Sequence, residues 1–288
     1  MSNIQIRDNI NIFICPLCGT KMRMNGLKSI VCAKNHCYDL SKKGYVNLLP
    51  NSVKTEYGKD MLQSRNVIIK SGLFEPMIQR LGGLILEKAY WSSGDAVRIL
   101  DAGCGEGSHL VRVIDNIKSS LNKEITGVGI DISKEGIQIA SRDYPGITWC
   151  VADLTNIPFT DNGFNIVLNI LSPSNYVEFG RVLRNDGILI KVVPGSGYLK
   201  ELRGLFYDNT DKQEYSNEKV IAHFRNCFDI TGTQRILYST HINPNNLEHL
   251  IRMTPLSWRA DNERIRNALG VGIDSITVDL TVLLGRNE

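Results

Sequence analysis

Four residues near the start of the chain carry the plainest chemistry. Cys15 and Cys18 flank Pro16-Leu17, and Cys32 and His36 follow after a hairpin-like interval around Asn25-Gly26. The spacing C-x2-C-x13-C-x3-H brings two thiolates on a tight knuckle against a third thiolate and an imidazole, a tetrahedral donor set for zinc. Cys37 adjoins His36 and competes as the fourth ligand, although adjacent side chains point in different directions. A cluster of small buried cysteines would leave the paired spacing unexplained. A second constellation is V-R-I-L-D-A-G-C-G-E-G, from Val97 to Gly107, with Asp101 ahead of Gly103, Gly105 and Gly107. Such a turn lets the backbone pass close to a ligand at a helix N-terminus. It is not the dinucleotide fingerprint, because Ser108 stands where the third glycine would fall, and no Gly-Lys-Ser/Thr follows as in a phosphate-binding loop. Asp131, Asp153 and Asn169 close three later apolar runs. A carboxylate in such a place can accept both hydroxyls of a vicinal diol. Lys42 and Lys43 lie between Tyr38 and Tyr45, offering cations for phosphates and rings for stacking. The tyrosines would serve equally well as the core of a small module.

The elements that must position these groups alternate along the chain. Apolar runs at Val97–Leu100, Ile125–Ile132, Ile147–Val151, Phe164–Leu171 and Ile188–Val193 read as buried parallel strands. Helical patterns separate them at Ser108–Ile117, Lys134–Tyr144 and Tyr176–Leu183, with Ser133 placed to cap the second. This predicts an α/β fold, a doubly wound and mostly parallel sheet with helices on both faces. In such a sheet ligands bind past the carboxyl ends of the strands, where the strand order reverses. Ile230–Tyr238 and Ser275–Leu284 alternate like antiparallel strands, and a helical stretch from Asn245 to Leu269 between them is interrupted at Pro255. Before the sheet, Met61 to Tyr90 suggests helices broken near Ser71-Gly72 and Gly82-Gly83. Residues 1–12 read as a poorly ordered leader and 51–60 as a polar connector. Three units are expected: a zinc module at 1–50, a helical connector over the ligand pocket at 51–94, and the sheet domain at 95–288.

Composition is that of a globular protein, 42% apolar and 22% charged over 288 residues. No run reaches membrane-spanning length and no signal-peptide core opens the chain, so the expected compartment is the cytoplasm and no membrane partner is expected. Seven cysteines suit that compartment as metal ligands and small buried residues. The net charge of +3 is unevenly spread: residues 1–70 hold eleven Lys/Arg against four Asp/Glu. A basic first section on a slightly acidic body suggests contact with a polyanion. An ordinary solvated basic face is the alternative.

The pattern D-x-G-x-G-x-G resembles motif I of the class I S-adenosylmethionine-dependent methyltransferases, and the last two strands resemble the reversed sixth and seventh strands of their seven-stranded sheet. Larger features cover both ends of the chain: CPLC…C…H, YDLSKKGYVNLLP, SRNVIIKSGLF, LDAGCGEG, SPSNYVEFGRVLRNDG and MTPLSWR. Together they resemble one family, the 23S ribosomal RNA (guanine-N1)-methyltransferases of the large-subunit methyltransferase A group. The resemblance implies methyl transfer from S-adenosylmethionine to N1 of a guanine in a 23S rRNA hairpin, and it leaves room for a homodimer. It implies Cys15, Cys18, Cys32 and His36 as zinc ligands. For the cofactor it implies Phe74, Asp101, Gly103, Gly105, Glu106, Gly107, His109, Leu110, Asp131 for the ribose, Asp153 for the adenine, and Tyr198. Asn169 and Ser172 are expected to orient the target base, in preference to a dedicated strong base, and Lys42, Lys43 and Tyr45 to contact RNA. As a source of general bases, His109, His223, His241 and His249 are discounted as surface or structural. Two other classes fit less well: a small-molecule methyltransferase with an ornamental knuckle, and a non-catalytic RNA-binding protein on a methyltransferase scaffold.

Overall fold

The computed structural model describes residues 4–51, 53, 58–89, 96–208, 214–258 and 260–287. Half of the predicted connector at 51–60, the expected boundary at 94/95 and the first three residues of the predicted leader lie outside them. Among the described residues, eight strands form the main sheet: β4 (Tyr45–Asn47), β5 (Val97–Ala102), β6 (Ile125–Asp131), β7 (Thr148–Val151), β8 (Phe164–Ile170), β9 (Leu183–Pro194), β10 (Asp229–His241) and β11 (Ser275–Arg286). Their spatial order is β10-β11-β9-β8-β5-β6-β7-β4. The order reverses at β5, whose two neighbours are β6 and β8, so the carboxyl end of β5 opens into a crevice where motif I begins. All five parallel strands predicted from apolar runs are present. Of the two final strands, only β11 is reversed, since it pairs antiparallel with both β9 and β10.

The sheet has one strand more than the seven expected. Tyr45–Asn47 pairs in parallel with Trp149–Val151, and Leu48 continues the ladder through its N–H to the Val151 carbonyl at 2.9 Å. Three residues flanked by lysine, glycine and proline carry too little periodicity to announce a strand. Upstream, β1 (Met22–Asn25), β2 (Ser29–Cys32) and β3 (Cys37–Asp39) form a small antiparallel sheet. The predicted leader is ordered from Ile4: it forms α1 (Ile4–Asp8) and a single 3-10 turn, because Ile6 and Ile12 are buried. Phe13 packs edge-on against Phe159 with ring centres 5.2 Å apart, in one core with Leu100, Val128 and Ile130. The amino-terminal module therefore lies on one face of the main sheet and also extends its edge.

On the other face lie α2 (Lys59–Lys70), α3 (Glu75–Lys88) and α4 (Ser108–Lys118). The predicted break at Ser71-Gly72 is real, but α3 runs unbroken through Gly82-Gly83. A Cβ on Gly82 would overlap the side chain of Asn116, so this glycine is there to let α4 approach and does not end the helix. Helices α5 (Lys134–Asp143) and α6 (Tyr176–Val182) connect strands, and Ser133 caps α5 through the Gly136 N–H as predicted. Beyond β9 come α7 (Lys200–Phe206) and α8 (Glu218–Arg225). Pro255 divides the last helical stretch into α9 (Pro244–Met253) and α10 (Asn262–Gly270). No helix among the described residues is long and apolar enough to cross a membrane.

Candidate functional site

The metal centre assembles from the knuckle and from the turn after β2. Sγ of Cys18 and Sγ of Cys32 are 3.7 Å apart, and Nδ1 of His36 lies 3.3 Å from Cys15 Sγ and 3.5 Å from Cys32 Sγ. All four donor atoms fall within 4.8 Å of one another. Zinc with Zn–S bonds of about 2.3 Å sets tetrahedral thiolates roughly 3.8 Å apart, so the cluster has the size that the ion requires. Cys37 is exposed on β3 and outside the cluster, which removes it as a competing ligand.

Motif I follows β5 directly. Gly103, Gly105 and Gly107 all adopt positive φ, and a Cβ on Gly103 would overlap the Ser172 hydroxyl, so the turn is held open for close approach. Asp131, at the end of β6, accepts the N–H of Gly105 on one oxygen and that of Ser133 on the other, both at 2.8 Å. Its carboxylate is thereby fixed at the rim of a cavity of about 240 Å³, which Gly103, Gly105, Ser133, Asp153 and Leu154 also line. A larger cavity of about 540 Å³ adjoins it, with Phe74, His109, Lys191, Tyr198, Tyr215 and Trp258 in its wall. Arg65 and the turn Leu171–Ser174 border both.

Several buried side chains beside the motif leave one atom without a hydrogen bond. Among the described residues, Asp101 Oδ1, Glu106 Oε1 and His109 Nε2 have no hydrogen bond. Burial pushes the Asp101 carboxyl up to about 7, Arg65 opposing the shift and Asp131 and Glu106 adding to it. Burial, reinforced by Arg65 and Arg112, holds His109 well below the usual histidine value, so its imidazole is neutral. Its ring stands edge-on to Phe74 at 5.7 Å, and its Nδ1 is 3.4 Å from the Arg65 guanidinium. Unpaired acceptor and donor atoms beside a glycine cradle are what the amino-acid end of S-adenosylmethionine requires, and the neighbouring aspartates suit its ribose. The residues present fit the cofactor.

Not every expected residue faces these cavities. Glu106 is fully buried and ties α2 to the motif through Asn66 at 3.1 Å, with Arg65 3.7 Å away. Gly107 packs against Trp149, and Leu110 points into the core. His109 is buried in the wall of the larger cavity, where a cofactor residue is expected and away from the surface place weighed for it, whereas His223 and His241 are exposed. Asn169 does not present its amide to a base. Its Nδ2 donates to the carbonyls of Ala102 at 2.6 Å and Pro173 at 2.9 Å, while its Oδ1 accepts from Ser174 and Lys191. A strand-tip amide so buried must satisfy itself locally. Ser172 remains in the wall of both cavities. Lys42 and Lys43 are exposed. Tyr45 is not: it is buried at the sheet edge with its hydroxyl 3.3 Å from Gln138 Nε2, so it serves the fold and cannot stack on a base.

Sequence reasoning missed Arg65 and Lys191. Arg65 lay inside SRNVIIKSGLF with nothing to mark it, because its partners are brought in by α2 and α4. Lys191 did leave a signal, a lone lysine within the apolar run of β9. Tyr198 is placed by a device invisible in sequence. Asp279 on β11, clamped by Arg235 at 2.8 and 2.9 Å, accepts the Gly197 N–H and so fixes the preceding turn.

Comparisons with known proteins agree with this architecture. A zinc-ribbon profile described as RlmA, N-terminal, matches residues 13–56, and a methyltransferase-domain profile matches residues 93–245. YxjB of Bacillus subtilis, provisionally named a 23S rRNA (guanine-N1)-methyltransferase, is 39% identical over 96% of this chain and 98% of its own. The 23S rRNA (guanine(748)-N1)-methyltransferase of Streptomyces fradiae is 28% identical over 98% of this chain and 99% of its own. Among solved structures, loganic acid methyltransferase with SAH superposes with a TM-score of 0.54 at 12% identity, covering 83% of this chain and 99% of that one, a likeness of fold alone. With a metal knuckle, a cofactor cradle and full-length likeness in place, the chain belongs to the 23S rRNA (guanine-N1)-methyltransferase family.

Proposed function

We propose that this protein transfers a methyl group from S-adenosylmethionine to N1 of a guanine in a hairpin of 23S rRNA. The observation that carries the reading is the meeting of two cavities at the Leu171–Ser174 turn: one beside the motif glycines and the strand-tip aspartates, the other large enough for a nucleobase. Bound S-adenosylmethionine supplies an electrophilic methyl carbon on its sulfonium. Asp131 would accept the ribose hydroxyls, and Asp153 would face the adenine. Asp101 Oδ1 would accept from the cofactor's ammonium group, while Arg65 and the Nε2–H of neutral His109 would hold its carboxylate. Phe74 and Tyr198 flank the same region. The phenol of Tyr198, pushed up to about 12 by burial, keeps its proton.

The guanine must leave its stack to enter the larger cavity, as for any enzyme that works on the Watson–Crick edge of a base. Held there, N1 needs orientation as much as activation, and Ser172 stands where the two cavities join. Residues 1–50 form the module that grips the RNA backbone, with Lys42 and Lys43 on its exposed surface. Incubating the protein with methyl-labelled cofactor and either unmodified 23S rRNA or a pool of small metabolites tests the reading. Label recovered as N1-methylguanosine after nuclease digestion supports it. Label confined to metabolites, or to another methylated nucleoside, overturns it.

A further inference from the structure

Lys191 is an anomaly of the fold. It sits in β9 between Ile190 and Val192, is 3% exposed, and reaches the wall of the larger cavity. Its register partner on β8 is Asn169, and its Nζ donates to Asn169 Oδ1 and to the Ser172 carbonyl. An amine nitrogen has four tetrahedral positions, one taken by its own carbon. With two N–H groups committed, one position is left: a lone pair in the neutral amine, a third N–H in the ammonium. Among the described residues, the other titratable or charged side chains lining this cavity are Arg65, His109, Tyr198, Tyr215, Lys219 and His223. None of them is a carboxylate, so nothing in the wall compensates a buried ammonium.

We propose that Lys191 is the general base that removes the N1 proton of the target guanine, aimed by Asn169 and the Ser172 carbonyl. The proposal rests on the guanine-N1 reading above. In the step, the lone pair of the neutral Lys191 amine bonds to the N1 proton, and the electrons of the N1–H bond stay on guanine N1. The N1 lone pair forms the bond to the methyl carbon as the carbon–sulfur bond breaks toward sulfur. Neutral guanine and a sulfonium become N1-methylguanine and a neutral thioether, and the positive charge ends on the Lys191 ammonium. Loss of that proton to water restores the base. Burial lowers Lys191 to about 8, so a usable fraction is neutral near physiological pH. The same packing gives Asn169 a purpose that its lack of free hydrogen-bonding groups had denied it: it is a positioning residue for Lys191.

The test is the rate of methyl transfer to a 23S rRNA transcript, measured from about pH 6 to about pH 10, with the inflection of the base expected near its lowered value. The wild-type turnover should rise with pH and level off beyond that inflection. Lys191→Met and Lys191→Arg should each lose about 10²–10⁴-fold in turnover, and lose the inflection, with cofactor affinity unchanged by calorimetry. Arginine keeps the charge but cannot take a proton, so a Lys191→Arg enzyme near wild-type rate would overturn the proposal. Lys191→Ala should be rescued by small primary amines, the more basic amine giving the faster rate at equal concentrations of neutral amine. Should the substituted chains not fold, the wild-type profile decides: a turnover flat across the range overturns the proposal. A wild-type protein that binds cofactor but leaves rRNA unmethylated removes the guanine reading, and this inference with it. An active wild type with unaffected Lys191 variants removes this inference alone.

Discussion

A carboxylate buried as deeply as Asp101 makes the protein's stability depend on pH. Its folded value, about 7, lies above the ordinary aspartate value, so the folded state holds the proton more tightly than the unfolded one. The contribution of this group to stability therefore falls as pH rises from about 4 to about 7 and is level outside that window. Asp101→Asn should remove this part of the slope and stabilise the cofactor-free protein above pH 7 by on the order of 2–4 kcal/mol, while weakening cofactor binding. Denaturant titrations at several pH values, paired with calorimetry, check both halves; a slope undiminished by the substitution contradicts the assignment. Asp131→Ala should cost the cofactor roughly 1.5–3 kcal/mol of affinity through the loss of charge-assisted hydrogen bonds. At the metal, Cys32→Ser should abolish stoichiometric zinc by elemental analysis and Cys37→Ser should retain it. The zinc ligands were legible because C-x2-C spacing is itself geometry. Asp131 and Asp153 were legible because apolar runs end visibly. Arg65 was not, since its role exists only once α2 is laid over the motif, and Asn169 misled because a polar strand tip resembles a ligand contact whether or not its amide is free.

At the scale of elements, apolar run length and glycine position foretold β5 to β9 and the cap of α5, but misjudged two features for a common reason. Gly82 looked like a helix break, and Tyr45 was assigned to RNA although a core place was weighed equally, because each was judged by its neighbours in sequence. Both are explained by a partner far along the chain, Asn116 for the one and Gln138 for the other. The same long-range pairing makes β4 the joint between the zinc module and the main sheet. Val46 is fully buried there, opposite Cys150. Val46→Asp should therefore destabilise the whole protein by about 3 kcal/mol or more, with a single lowered unfolding transition. Separate transitions, with only the zinc module affected, would mean that the strand is an ornament. Removing residues 1–50 would strip an edge strand and part of the core, so deletion cannot cleanly separate RNA recognition from methyl transfer.

For the molecule as a whole, residues 1–50 hold seven Lys/Arg against two Asp/Glu, a surplus that supports the proposal that recognition belongs to the module that the sheet carries on one face. Point substitutions on its exposed surface separate recognition from chemistry where truncation fails. Replacing Lys42 and Lys43 together by alanine should weaken rRNA binding. It should also lower the slope of log K against log salt by about 0.7–0.9 for each phosphate no longer neutralised. Cofactor affinity should not move; a change there would place the lysines in the wrong site. The most direct measurement is of where the methyl group goes. A methyl on guanine N1 blocks the Watson–Crick edge, so reverse transcription of 23S rRNA treated with enzyme and cofactor reads the product directly. Transfer to guanine N1 predicts a strong stop at one guanine within a hairpin, present only with cofactor and faint with the double-lysine variant. Full-length transcripts from treated rRNA, alongside active methyl transfer to another acceptor, would contradict it.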